Sequence, residues 1–179
     1  MNKSIAVAEW STVSSGIQAA DAMVKAAAVE IVEAQTVCPG KYLVIIAGEL
    51  SAVTAALAAA IRFGETMISS FVLGNPHESV LPAMYGVART GPLRALGVLE
   101  TYDAASALAA ADVAVKTAVV ELIELRIAKG MCGKSYLLLT GEVAAVEAAI
   151  AAAREQTSGM YLDSCVIARP SARLAQYVM

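Results

Sequence analysis

The chain has 179 residues, 58% of them hydrophobic and only 16% charged, with a formal charge of -3. That length fits one medium domain or two small ones, and the acidic balance offers no basic surface for phosphate neutralisation, which argues against a nucleic acid partner. Charged residues average roughly 25% in soluble domains, so part of the apolar surplus is expected to lie in subunit contacts.

In chain order, "MNKSIAVAEWS" has one lysine but neither a long apolar core nor a small-residue cleavage site, so no signal peptide is expected. The alanine-rich run "SAVTAALAAAIRF" ends at Arg62, short of the roughly 20 residues a membrane span needs. Cys38, Cys132 and Cys165 are an odd set in a chain without an export signal. A reduced, cytoplasmic setting is therefore expected rather than a disulfide framework.

A strand is predicted over Ser4 to Trp10. An alanine-rich helix follows, in which Ile17, Ala20, Val24 and Ala27 share a face. Two strands come next, Glu30 to Val37 and Tyr42 to Ala47, joined by the tight loop "CPGK". A second helix starts near Ser51, and the strand "MISSFVL" runs into Pro76 and a short helix opened by His77. The same order then returns. Ala95 to Thr101 reads as a strand, Asp103 as the N-cap of a helix, and Glu121 to Ala128 and Ser135 to Thr140 as strands around "KGMCGK". A helix from about Ala144, the strand "MYLDSCVIA" and a terminal helix complete the second pass.

The repetition is direct. At an offset of 91, Glu9 pairs with Glu100, Asp21 with Asp112, Lys25 with Lys116 and Glu30 with Glu121. At 93, Gly40-Lys41 pairs with Gly133-Lys134 and Gly48-Glu49 with Gly141-Glu142, and one further slip matches "SSFVLGNP" to "DSCVIARP". The chain is a tandem duplication, 1–90 and 91–179, joined at Gly91-Pro92. Each half follows βαββαβ(α), the ferredoxin-like α+β plan of an antiparallel sheet with helices on one face.

"DAMVKAAAVE" and "DVAVKTAVVE", each followed by a glycine-lysine loop, an apolar strand and "GE(L/V)xAV", resemble the bacterial microcompartment shell domain. Two copies, each opening with the strand before the long helix, resemble the non-permuted tandem shell proteins of the propanediol-utilisation type. That resemblance implies a pseudo-hexameric homotrimer with a central pore, tiling laterally with other shell proteins and facing encapsulated redox enzymes. It implies a structural rather than an enzymatic role. The family's edge lysine falls on Lys25 and Lys116, and its edge Arg-Pro pair on Arg169-Pro170. The first copy has Asn75 in place of that arginine.

The pore loops implied by the resemblance fall on Cys38, Pro39 and Gly40 and on Met131, Cys132 and Gly133. Three-fold symmetry would turn one Cys132 into three thiols around an axis. Some members of this type carry an iron-sulfur cluster at the pore, which implies a 4Fe-4S cluster, one per trimer, held by Cys132. The loop glycines and Lys134 suit a thiolate. The residues alone leave a second use open, since cysteine is small and can simply line a channel. Cys38 reads as a flanking residue and Cys165 as core.

His77, the sole histidine, leaves no histidine pair for a catalytic metal or a Ser-His relay. Glu9 and Glu100 read as equivalent structural positions rather than an acid-base couple. Two other functional classes remain: a trimeric ferredoxin-like regulator binding small ligands between subunits, and a redox enzyme attacking through Cys132, which lacks a partner base.

Overall fold

The computed structural model describes residues 4–178. The chain forms two compact units. One contains the chain up to Pro76 together with Asp103–Ala105 and Ala128–Gly133, and the other contains His77–Tyr102, Ser106–Ile127 and everything from Lys134 onward. Two short segments of the second repeat thus belong to the first unit.

The first unit is built from β1 (Ser4–Trp10), α1 (Val13–Ala26), β2 (Glu30–Val37), β3 (Lys41–Gly48), α2 (Leu50–Ala60) and β4 (Met67–Leu73). Its antiparallel sheet has the order β2-β3-β1-β4. One sheet face, carrying Ala6, Ala8, Trp10, Val44 and Ile46, packs on Ala19, Ala20, Met23, Val53, Ala56 and Ala60 of the helices. The opposite face, with Ile5, Val7, Leu43 and Ile45, is also buried.

The buried side of α1 differs from the expected one. Gly16, Ala19, Ala20, Ala22 and Met23 are inside, while Ile17 and Val24 are 52% and 40% exposed. Close approach explains the choice. A methyl group added at Gly16 would collide with Tyr42 Cβ and the root of its ring, so the helix lies on the sheet through its smallest residues and turns the larger ones outward.

The second unit contains α3 (Val80–Met84), β5 (Ala95–Thr101), β6 (Val120–Arg126), β7 (Ser135–Gly141), α5 (Val143–Thr157), β8 (Tyr161–Ile167) and α6 (Ala172–Val178). It also holds α4 (Ala104–Thr117) apart from its first two residues. Its sheet order, β6-β7-β5-β8, repeats the first. So do its irregularities: register shifts at Glu9/Trp10 and Ile31/Glu33 recur at Glu100/Thr101 and Leu122/Glu124. Bulges are built features that survive within a fold, so their recurrence makes the duplication structural as well as textual.

Three local expectations are corrected. The strand from Val120 stops at Arg126 rather than Ala128, because Ala128 takes a left-handed φ of 52° and ends the ladder. His77 precedes the short helix instead of opening it; its backbone N–H donates to Asp112 Oδ1 at 2.7 Å. Cys165 is exposed, not core. It lies on β8, an edge strand with alternating burial, where only every second side chain turns inward.

Candidate functional site

The two glycine loops lie together in the first unit. The Cys38 N–H donates to the Ala128 carbonyl at 3.3 Å, and Lys129 Nζ donates to Glu33 Oε1 at 2.8 Å. A methyl group at Gly133 would lie 2.9 Å from the Cys38 carbonyl oxygen and 3.0 Å from Lys41 Nζ, and Gly133 has a φ of 85°. Only glycine meets both conditions. Cys38, Pro39 and Gly40 line an open depression of about 430 Å³ with Lys129 and Gly130.

Cys132 is exposed with a left-handed φ of 52°, between Met131, which is half-buried, and Gly133, which is buried. Cys38 is half-buried and its main chain is pinned by the neighbouring loop. The structure therefore separates the thiols: Cys132 stands out at a loop tip, and Cys38 supports the loop base. Among the described residues, no group of three or more His, Cys, Asp or Glu side chains within the chain is placed to hold a metal ion.

Beneath these loops lies a feature the sequence did not announce. Glu9 is fully buried. Its Oε1 faces Lys41 Nζ at 3.4 Å, and its Oε2 accepts the N–H of Ala104, the first residue of α4, at 3.2 Å. Burial pushes its carboxyl above the ordinary 4.5, against the lowering pull of Lys41 and of the Ala104 N–H. In the second repeat, Glu100 faces Lys134 at a looser 3.8 Å, with side chains 32% and 43% exposed. The charge expected beside Cys132 is thus partly committed to Glu100. The signal for these pairs was present in the offsets, because each loop lysine has a strand glutamate in its own copy. Nearby, Tyr136 donates to Glu124 Oε2 at 2.6 Å, and desolvation together with that carboxylate pushes its phenol up to about 12.

The expected edge residues lie on other elements than the loops. Lys25 and Lys116 are exposed and each pairs with the aspartate one turn earlier, Asp21 and Asp112, at 2.6 Å. Arg169 is exposed just after β8.

Residues 4–76 and 95–170 each match the BMC domain. The chain belongs to the BMC-domain family. Its domains therefore coincide with the two sheets just described, and the shell-domain resemblance and the α+β tandem architecture both hold. Over 173 residues this BMC-domain chain is 36% identical to the bacterial microcompartment shell protein PduT of Citrobacter freundii, a match covering 95% of this chain and 94% of that protein. A microcompartment protein of known structure from Desulfitobacterium hafniense is 41% identical, with a TM-score of 0.85 over 98% of this chain and 99% of that one. A fused permuted hexameric shell protein of the RMM microcompartment shares the fold at 22% identity, with a TM-score of 0.66 over 88% of this chain and 82% of that one. The chain is thus a bacterial microcompartment shell protein. Among the described residues, no helix is long and apolar enough to cross a membrane.

Proposed function

We propose that three copies of this chain form a pseudo-hexagonal tile whose axis is lined by six loops, Cys38 to Gly40 and Met131 to Gly133 from each copy. The tile is a structural, non-enzymatic part of the shell of an organelle in the bacterial cytoplasm. Lys25, Lys116 and Arg169 lie on its rim and meet neighbouring shell proteins, and its inner face meets the encapsulated enzymes. The observation that supports this reading is the pairing of the two loops inside one unit, with Gly133 against the Cys38 carbonyl. A ring that repeats this pairing brings like loops to one axis.

At that axis, three Cys132 thiolates hold a 4Fe-4S cluster, one per trimer. The fit rests on the donor: an exposed thiol at the tip of a loop, left-handed in φ and set between Gly130 and Gly133, with no competing ligand set among the described residues. When bound, such a cluster supplies one-electron transfer. The chain's own contribution is to present the thiolate. Cys38 and Lys129 hold the loop base.

The test is an absorption and electron paramagnetic resonance spectrum of the anaerobically prepared protein. The expected result is iron and sulfide at about one cluster per three chains, lost in Cys132→Ala and kept in Cys38→Ala. A wild-type protein that stays colourless after anaerobic reconstitution with iron and sulfide removes the cluster and leaves Cys132 as a small pore-lining residue.

A further inference from the structure

We infer that Lys41 is the positioning residue of the Cys132 loop: it closes one glycine loop and clamps the other, held from beneath by the buried carboxylate of Glu9. Lys41 opens β3 directly after Gly40, where its main chain pairs across from Val37 and ends the Cys38 loop. Its side chain serves the other loop. A methyl group on Gly133 would meet Lys41 Cε and Nζ at 3.0 Å, so the end of the lysine lies against the Cα of the residue that follows Cys132.

Lysine seldom turns inward, because its ammonium normally reaches for water. Here only 16% of the side chain is exposed. The sheet supplies the reason. Leu43 stands directly across from Glu9, and Lys41, two residues earlier on the same strand, shares that face. Glu9 Oε1 faces the ammonium at 3.4 Å, and the Ala104 N–H fixes the other carboxylate oxygen. Asp103, also fully buried, adds a second negative charge near Glu9. One cation is thereby kept under the two loops by carboxylates on rigid elements.

A buried ion pair is a weak source of stability, and its use here is position. Cys132 and Gly133 are both left-handed, with φ of 52° and 85°, so the direction of the thiol depends on where Gly133 sits. Gly133 is boxed between the Cys38 carbonyl and Lys41. The second repeat's own lysine does not do this, since Lys134 leans on Glu100 at 3.8 Å and is 43% exposed.

The role rests on the axis of loops proposed above, and its first test needs no cluster. In the metal-free full-length chain, peptide mass spectrometry reads the rates of iodoacetamide labelling at Cys38 and Cys132 at one pH. The variants are Lys41→Met, Lys41→Arg, Glu9→Gln/Lys41→Met and Arg94→Met, with circular dichroism to confirm folding. Cys38 is half-buried and Cys132 exposed, so the wild type is expected to label first at Cys132. In Lys41→Met the loops part, and Cys38 labelling is expected to rise at least about tenfold, the loss of one hydrogen bond to a charged group. The double variant, which also removes the stranded Glu9 carboxylate, is expected to match it. Lys41→Arg keeps the cation and restores most of the protection, and Arg94→Met, which breaks an exposed pair elsewhere, behaves as wild type. The sign decides the matter, because losing a nearby cation by itself disfavours the thiolate and slows labelling. Cys38 labelling at or below the wild-type rate in both Lys41→Met and the double variant overturns the clamp and leaves the cluster untouched. A wild type that takes up no iron, while Lys41→Met still labels Cys38 faster, removes the cluster and leaves the clamp. On anaerobic reconstitution Lys41→Met is expected to hold less iron per chain than the wild type, with Lys41→Arg in between. A full load with the wild-type paramagnetic resonance spectrum overturns the positioning of Cys132.

Discussion

Glu9 and Glu100 hold the same place in two copies of one fold, yet one is fully buried under the first residue of α4 and the other is a third exposed beside a looser lysine. The helices differ as well. Leu108 and Ala109 of α4 are buried, whereas their counterparts Ile17 and Gln18 on α1 are exposed. The edge strands differ in the same sense, with Leu122 covered and Ile31 open. A protein ending its assembly at one chain has no use for open copies of faces it has already covered once. A ring made of repeating domains needs them, because each covered contact inside a chain must recur between chains.

The largest expected effect that sharpens this comparison is Glu9→Ala against Glu100→Ala. Removing Glu9 leaves Lys41 and the Ala104 N–H without their buried acceptor and is expected to cost about 2–3 kcal/mol. Glu100→Ala is expected to cost under about 1 kcal/mol at the level of the single chain, because its pair is loose and solvent-screened. Chemical denaturation of both variants measures the difference, and equal losses would erase the distinction between the repeats.

Glycine placement comes next. Gly16→Ala would drive a methyl group into the root of Tyr42, which cannot swing away, and is expected to cost about 2 kcal/mol. Its second-repeat counterparts are Ala107 and Ser135, a larger helix residue matched to a smaller strand residue. Gly97→Ala meets the movable Leu139 Cδ1 at 2.7 Å and is expected to cost about 1 kcal/mol, although Ala6 occupies the same position in the first repeat. Thermal unfolding ranks the two, and the reverse order would mean that Tyr42 yields more readily than Leu139.

The smallest effect is a pH dependence. Burial raises the Glu9 carboxyl above 4.5 in the folded chain, so just above 4.5 the folded state keeps a proton that the unfolded state has released. The stability contributed by this group is fully present below 4.5 and is lost as pH rises through the raised value. The difference in stability between wild type and Glu9→Gln should therefore shift against the wild type over that window and then level off. A flat difference would mean that the carboxyl keeps its ordinary affinity for protons.

The duplication was legible because strand alternation, the two glycine-lysine loops and the paired Asp-Lys turns survive residue by residue in both copies. The exposure of Ile17 and Cys165 was not. A helix with alanine or glycine on every side has no single apolar stripe, so close approach at Gly16 chooses the face rather than hydropathy. An apolar strand reads alike in the centre of a sheet and at its edge, and only the pairing order places β8 outside. The loops were readable as a site from their glycines. The carboxylate beneath them was not, because its second partner, Ala104, comes from the other repeat and has a side chain that carries no chemistry.

The account's central claim is the ring, and images of single particles of the purified protein by electron cryomicroscopy test it most directly. The predicted class average has three-fold symmetry with a nearly six-fold outline and an axial opening lined by the Cys38 and Cys132 loops. Particles that are single chains, or pairs related by a two-fold axis through identical faces, would contradict it.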